Sequence, residues 1–274
     1  MRLGSAAFAA GLALPAWAEQ IHVEPGSDLP AILRRAAEGD VIVLRPGEHR
    51  AQMRIDTTLT IAGEPGAILI GPGKGNVITV AAPRAVVRGL TVRGSGMDSE
   101  AMNAGVFVEK TATGAVIEKN LIEGNLYGIY LHGAEDAVAQ DNQIIGLQEG
   151  RVNEAGNGVS VWNAPGAKVL RNTIRFGRDG IFSITSKRNT YSGNRFSDLR
   201  FAIHYMYTNE SVISDNISTG NGVGYALMFS NRLKVTGNRS DGDRDHGFLF
   251  NYANGSEIVG NTVLGRLQPA ERWL

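Results

Sequence analysis

The fold is decided by the stretch Ala202–Asn254, which contains two copies of one short repeat. The first copy reads AIHYMYTN from Ala202 and then SDNIST from Ser214, and the second reads GYALMFSN from Gly224 and then TGNRSDG from Thr236. Each copy joins a strand with a two-residue period to a turn that contains Gly or Asn. The stretch also carries the most unusual side chains of the chain, which are His204, Met206, Met228 and the acidic turn Asp241–His246.

Two independent markers show that the repeat extends over most of the chain. An Asn that ends one strand and begins a turn recurs at Asn120, Asn142, Asn172, Asn194, Asn216, Asn238 and Asn261. A small residue followed by an apolar one recurs at Gly105, Gly128, Gly158, Gly180, Ala202, Gly224 and Gly247. Both markers keep a nearly constant spacing, apart from one longer step that they share, from Asn142 to Asn172 and from Gly128 to Gly158. The long step indicates an insertion of about eight residues near Leu147–Gly156, in a loop on one side of the repeat.

A period of about 22 residues with several short strands, each closed by Gly or Asn, is typical of a right-handed parallel β-helix. The leucine-rich repeat has a similar length, but its sequence pattern is absent. We therefore predict an all-β solenoid in residues 51–274. A strand and a short capping helix are predicted in residues 19–50, where they would cover the open end of the sheets.

The N-terminal segment Met1–Ala18 predicts export from the cytoplasm. Arg2 precedes an apolar segment, Ala6–Leu14, and the motif Ala16–Trp17–Ala18 matches a signal-peptidase cleavage site. Residues 1–18 are therefore predicted to be a cleavable signal peptide of a periplasmic protein. No later segment approaches the length of a transmembrane helix.

The overall charge argues against two classes of partner. The 27 basic and 27 acidic side chains give a formal net charge of zero and an isoelectric point near 7. No basic run is present that would bind nucleic acid or a membrane surface directly. We therefore predict no nucleic-acid partner, and membrane contact only through other proteins.

Alternation within the strands divides one wall of the solenoid into an inner and an outer face. The predicted inner columns are Ile129, Val159, Ile181, Ile203, Tyr225 and Phe248, and Leu131, Val161, Ser183, Tyr205, Leu227 and Phe250. The outer face is also apolar, at Trp162, Phe182, Ile184, Met206, Met228 and Leu249. A contiguous apolar patch on an outer wall indicates a partner-binding site, unless another part of the chain covers it.

A soft-metal site is the sharper interpretation of part of this patch. Met206 and Met228 would lie on adjacent turns, and His204 precedes Met206 by two residues, so the three side chains would be roughly 5–7 Å apart. Two thioethers and an imidazole suit Cu(I), and the chain has no cysteine that could serve instead. The alternative is that the methionines only fill an adaptable protein interface.

The acidic turn has several interpretations. Asp241, Asp243 and Asp245 resemble the start of a calcium loop, but the distal glutamate of such a loop is missing. They could also supply carboxylates for sugar chemistry, or form a turn in which Arg244 pairs with its neighbours. We assign Asp241, Asp243, Asp245 and His246 as candidate partner-binding residues.

Three segments carry a resemblance to a known family, namely HYMYTN (His204–Asn209), GYALMFSNRLKVTGNRSDGDRDHG (Gly224–Gly247) and NYAN (Asn251–Asn254). They resemble NosD, the periplasmic β-helix proteins of nitrous oxide reductase maturation, and the similarity is strongest over Gly177–Val263. The resemblance implies a non-enzymatic role in assembling the copper centre of that reductase. The implied partners are an ABC transporter permease and ATPase, a copper-chaperone lipoprotein and the reductase itself.

The same resemblance implies that copper is bound, and His204, Met206 and Met228 are the positions onto which the family's His and Met residues map most naturally. NosD proteins are usually longer than this chain, and the tail Gln268–Leu274 breaks the repeat. We therefore expect that C-terminal turns are missing from this sequence.

Two other functions stay open at the level of sequence. The β-helix fold often carries polysaccharide lyases, epimerases and hydrolases, whose sites need paired acid and base groups. The apolar patch could instead serve a docking scaffold that binds no metal.

Overall fold

The fold is a stack of coils in which nearly every strand pairs with the strand three positions further along the chain. This computed structural model describes residues 18–148 and 154–265. The predicted signal peptide, apart from Ala18, and the tail Gln268–Leu274 lie outside the described residues.

Within the described residues, thirty strands form three parallel sheets, which we name A, B and C. Sheet A contains β1 (Gln20–Val23), β2 (Val41–Leu44), β5 (Thr60–Gly63), β8 (Val86–Arg88), β11 (Val116–Glu118), β14 (Val138–Gln140), β17 (Lys168–Leu170), β20 (Thr190–Ser192), β23 (Val212–Ser214), β26 (Lys234–Thr236) and β29 (Glu257–Val259). Sheet B contains β3 (Gly47–Arg50), β6 (Ala67–Ile70), β9 (Thr91–Arg93), β12 (Leu121–Glu123), β15 (Gln143–Ile145), β18 (Thr173–Arg175), β21 (Arg195–Ser197), β24 (Ile217–Thr219), β27 (Arg239–Asp241) and β30 (Thr262–Leu264). Sheet C contains β4 (Met53–Ile55), β7 (Ile78–Val80), β10 (Ala104–Val108), β13 (Tyr127–His132), β16 (Val159–Trp162), β19 (Asp179–Lys187), β22 (Phe201–Asn209), β25 (Val223–Met228) and β28 (His246–Asn251). The predicted parallel β-helix is confirmed.

The N-terminal helix, α1, spans Leu29–Leu33 and lies against the first coil. Asp28 caps it by accepting a hydrogen bond from the backbone N–H of Ala31 at 3.0 Å, while Leu29 and Leu33 are buried. The segment 19–50 also supplies β1, β2 and β3, so strand pairing begins before the predicted boundary at residue 51. Within the described ranges, no helix is long and apolar enough to cross a membrane.

The inner columns of sheet C follow the predicted register. Ile129, Val159, Ile181, Ile203 and Tyr225 pair in sequence and are fully buried. Phe248 and Phe250, the last residues of the two predicted inner columns, are not fully buried. They lie on β28, the last strand of sheet C among the described residues, and no further described coil covers that strand. Phe248 is half-buried there, and Phe250 is 41% exposed.

A row of asparagines joins the coils at the corner between sheets A and B, and we call it the Asn ladder. It consists of Asn120, Asn142, Asn172, Asn194, Asn216, Asn238 and Asn261. Its members are buried except for Asn261, which is half-buried. The side-chain oxygen of Asn194 accepts bonds from the backbone N–H and the amide of Asn172, and its own amide donates to Asn216 and to the carbonyl of Val169. The repeat marker is therefore a structural seam, in which each amide satisfies backbone groups of neighbouring coils.

A second, outer row of asparagines forms at the corner after sheet C. The side-chain oxygen of Asn209 accepts a bond from the backbone N–H of Asn231 at 2.8 Å, and that of Asn231 accepts from Asn254 at 3.1 Å. These side chains are half-buried or exposed and make fewer contacts than those of the Asn ladder.

Candidate functional site

The outer face of sheet C brings the predicted metal-site residues onto two neighbouring strands. Met206 of β22 pairs with Met228 of β25, and both are half-buried. His204 lies two residues before Met206 on the same face, as strand alternation requires. Throughout residues 18–148 and 154–265, no group of three or more His, Asp or Glu side chains is placed to hold a metal. A metal site here would therefore depend on thioether ligands.

His204 is held by a buried carboxylate that the sequence analysis missed. Its Nδ1 lies 3.2 Å from Oδ2 of Asp179, and the residue is only 8% exposed between Phe182 and Phe201. The carboxylate of Asp179 also accepts two bonds from Arg200, at 2.9 and 2.6 Å. Nε of Arg178 lies 3.5 Å from the same Oδ2.

The protonation of this cluster follows from its partners. Burial by itself would raise the pKa of Asp179, but hydrogen bonds from His204 and Arg200, together with the charges of Arg200 and Arg178, outweigh it and lower that pKa. An ionised carboxylate only accepts hydrogen bonds, so Nδ1 of His204 carries the proton. In the neutral ring, Nε2 then presents a lone pair.

The Nε2 atom of His204 is buried and has no hydrogen-bond partner among the described residues. A buried, unpaired polar atom costs free energy unless a ligand, ion or water satisfies it. Nε2 is also the atom that a metal would take from an imidazole whose Nδ1 is bound to a carboxylate. The side chains present therefore fit a metal such as copper, with Nε2 of His204 and the thioethers of Met206 and Met228 as the available donors.

Repeat alignment could have revealed Asp179. Arg178 and Arg200 occupy equivalent positions on successive coils, since the backbone N–H of Arg200 donates to the carbonyl of Arg178. Two stacked arginines beside one aspartate indicate a charge cluster rather than a solvated corner. Asp179 was missed because it stands at the first position of β19, before Gly180, from which the inner and outer columns of that strand were counted.

The predicted apolar patch is present on the outer face of sheet C. Trp162 is 39% exposed, whereas Phe182, Ile184 and Leu249 are half-buried. The patch is continuous with aromatic side chains on earlier coils that the sequence analysis did not include, because the ring of His132 stacks on Trp162 at 4.4 Å between centroids. Phe107 and Tyr130 extend this stacked row further toward the N-terminus.

A second aromatic row lies at the corner that follows sheet C. Tyr207, Phe229 and Tyr252 stack on successive coils, with 5.3 Å between neighbouring centroids. All three have positive φ angles of 50–52°, a conformation that Gly and Asn adopt more readily. Tyr207 is 51% exposed and Tyr252 is 68% exposed. Strand alternation does not describe this corner, so these residues were missed as part of the apolar surface.

The acidic turn does not form a single set of free carboxylates. The side chain of Asp243 accepts bonds from the hydroxyl of Ser218, the backbone N–H of Asn221 and the hydroxyl of Ser240, at 2.8, 2.8 and 2.5 Å. Asp241 forms an ion pair with Arg239 at 2.8 Å, and both residues lie on β27. Its partner is therefore Arg239 and not Arg244, which was one of the interpretations of the turn. Asp245 and His246 are exposed, and their assignment to partner binding stays a prediction.

These contacts predict different effects for two neighbouring aspartates. Asp243→Ala removes the acceptor of three hydrogen bonds and should lower the free energy of unfolding by about 3 kcal/mol. Asp245→Ala changes an exposed side chain and should cost less than about 0.5 kcal/mol. Urea denaturation followed by circular dichroism measures both, and equal effects of the two variants would contradict the internal role of Asp243.

Solved structures of low sequence identity share this fold. An alginate lyase from Paenibacillus sp. str. FPU-7 aligns with a TM-score of 0.66 and 16% identity, over 92% of this chain and 99% of the lyase. The pectate lyase Pel9A aligns with a TM-score of 0.58 and 10% identity, over 90% of this chain and 78% of that one. At such identities the likeness shows the architecture and not the activity.

The sequence itself has relatives of higher identity. Residues 140–268 match the family model described as periplasmic copper-binding protein NosD. A protein of Stutzerimonas stutzeri named probable ABC transporter binding protein NosD is 38% identical over 220 residues, which cover 80% of this chain and 50% of the relative. A protein of the same name from Pseudomonas aeruginosa is 37% identical over 244 residues, covering 89% and 56%. The chain thus spans about half the length of the curated relatives it matches. These matches confirm the predicted resemblance of the chain to the NosD family.

Proposed function

We propose that this protein is a non-enzymatic periplasmic component of copper-centre assembly for nitrous oxide reductase, which holds copper as Cu(I) on the outer face of sheet C. The single observation that carries the proposal is the buried, unpartnered Nε2 of His204, on the same face as Met206. The family description as periplasmic and copper-binding supports both the location and the metal.

The donor set suits the reduced ion. Thioethers and a neutral imidazole are soft or intermediate ligands, and Cu(I) prefers them to carboxylates. Met206 and Met228 pair across neighbouring strands, which lie about 4.8 Å apart, so both sulfur atoms can approach one ion. Both side chains are half-buried, so a partner that delivers or accepts copper could reach the thioethers.

The apolar patch is proposed as the place where such a partner docks. Trp162, Phe182, Ile184 and Leu249 lie on the same outer face as the proposed copper ligands, and Asp245 and His246 lie exposed before and at the start of β28. The names of the two relatives support an ABC transporter as one partner. Its permease and ATPase are proposed as the components that take part. A copper-chaperone lipoprotein and the reductase are the other proposed partners, and contact with the membrane would run through the transporter.

A Cu(I) titration against a competing chelator tests the metal site. Met206→Ala and Met228→Ala should each weaken binding about tenfold, a loss of about 1.4 kcal/mol, and the double variant about 100-fold. Met97→Ala is the matched control, because Met97 is 58% exposed and lies outside sheet C. Equal affinities of the wild type and the double variant would refute the site and favour a docking scaffold without metal.

A polysaccharide-active enzyme is the alternative that the shared fold suggests. Such an enzyme needs an acid and a base that can reach the sugar. Asp243, the central carboxylate of the acidic turn, is instead occupied by three internal donors. Turnover of a uronic-acid polymer that is abolished by Asp243→Asn, in a variant that stays folded, would favour the enzyme over the proposed function.

A further inference from the structure

Unsatisfied polar atoms are concentrated near the N-terminal ends of neighbouring strands of sheet C. Four buried side-chain atoms of the described chain lack a hydrogen-bond partner, namely Asn157 Oδ1, Arg178 Nε, His204 Nε2 and the hydroxyl of Tyr205. The first three belong to three successive coils, in or just before β16, β19 and β22. Since native proteins pair almost all buried polar groups, these atoms call for a further partner such as water or a ligand.

The carboxylate of Asp179 is fixed in both position and orientation. Arg200 binds both of its oxygens, with Nε at 2.9 Å from Oδ1 and Nη2 at 2.6 Å from Oδ2. This two-pronged contact fixes the plane of the carboxylate, and Asp179 is fully buried. Oδ2, the oxygen that Arg200 positions, is also the oxygen that faces Nδ1 of His204.

We propose that Asp179, fixed by Arg200, is a positioning residue that selects the Nδ1–H tautomer of His204 and so keeps its Nε2 lone pair free to bind the metal. The inference deepens the proposed function, since the copper ligand is His204, but the tautomer itself is a property of the protein without metal. The rings of Phe182 and Phe201 lie 5.0 and 4.8 Å from the imidazole centroid and restrict its rotation. The carboxylate therefore sets which nitrogen is protonated, and the two rings set where the other nitrogen points.

An ion pair on the outer surface provides a matched control. Arg171 binds Asp141 with the same two-pronged geometry, with Nε and Nη2 each at 2.8 Å from a carboxylate oxygen. Arg171 is exposed and Asp141 is half-buried, and neither forms an ion pair with a histidine. Asp141→Asn therefore disturbs an equivalent arginine contact without touching His204.

The first readout is nitrogen NMR of the histidine rings in the protein without metal. The wild type should show the Nδ1–H tautomer for His204, and so should Asp141→Asn. Asp179→Asn keeps the size of the side chain but can turn its amide toward Nδ1 as a donor. The Nε2–H tautomer of His204 should then replace the Nδ1–H tautomer. Asp179→Ala, which removes the acceptor altogether, should give the same change, and melting by circular dichroism confirms that both variants fold.

The second readout is Cu(I) affinity, measured on the same proteins. Asp179→Asn should bind Cu(I) at least about tenfold more weakly than Asp141→Asn. Wild-type tautomer and affinity within twofold in a folded Asp179→Asn would overturn the inference and leave Asp179 a purely structural residue. If the wild type itself binds no Cu(I), the proposed function fails, but the NMR result still decides whether Asp179 sets the tautomer.

Discussion

Asn194→Ala is expected to lower the free energy of unfolding by about 4 kcal/mol, the largest effect that we predict for a single side chain. The substitution removes four hydrogen bonds of the Asn ladder at 2.8–3.0 Å. It leaves the backbone N–H of Asn172 and the carbonyl of Val169 without their side-chain partner in a site that is fully buried. Each buried group left unpaired costs about 1–3 kcal/mol.

Urea denaturation measures the loss, and hydrogen exchange locates it. The N–H of Asn172 should exchange faster in the variant, because its acceptor is gone. Asn231→Ala, in the half-buried outer row, removes the acceptor of one exposed N–H and should cost less than about 1 kcal/mol. If Asn194→Ala proved no more destabilising than Asn231→Ala, the Asn ladder would be a consequence of the fold and not a cause of its stability.

Gly180→Val is expected to cost about 3 kcal/mol through overpacking. A β-carbon at Gly180 would lie 2.5 Å from the carbonyl oxygen of Ala202 and 2.5 Å from Cδ1 of Phe196. The oxygen belongs to the next coil, whose spacing is fixed by strand pairing, and the ring is buried in the core. Neither neighbour can move without disturbing several others, so the strain spreads over both coils.

The equivalent position on the next coil supplies the control. Ala202 has a β-carbon there, and the residue in register with Phe196 is the much smaller Ser218. Ala202→Gly should therefore cost only about 0.5–1 kcal/mol, the usual loss for a glycine within a strand. Thermal melts of both variants test the comparison. A Gly180→Val protein as stable as Ala202→Gly would show that a valine side chain at position 180 causes no overpacking.

The coil architecture was predictable because it depends on local signals that repeat. Strand alternation has a period of two, and the Asn and Gly markers return once in every coil. An ambiguous assignment in one repeat can therefore be resolved from the equivalent positions of neighbouring repeats. The inner columns through Leu227 are buried as predicted. Phe250 is exposed because burial at that position requires an adjacent coil to pack on it. The type of residue alone does not determine its burial.

The candidate site was only partly predictable. Alternation placed His204, Met206 and Met228 on one face, but it could not show that His204 contacts Asp179, 25 residues earlier in the chain. Asp179 stands where a corner becomes a strand, and side-chain direction at a corner depends on φ and not on the two-residue period. The aromatic row Tyr207, Phe229 and Tyr252 was missed for the same reason, since its positive φ angles turn the side chains out of the strand pattern.

The hydrogen bonds of the Asn ladder do not depend on the number of residues between its members. Asn142 and Asn172 belong to the coil that carries the insertion, yet the amide of Asn142 and its backbone N–H both lie 3.0 Å from the side-chain oxygen of Asn172, as they do in the shorter coils. The described residues on either side of the insertion keep the register of all three sheets. A change in the number of residues between Ile145 and Val159 is therefore expected to leave the Asn ladder and the register of the three sheets intact.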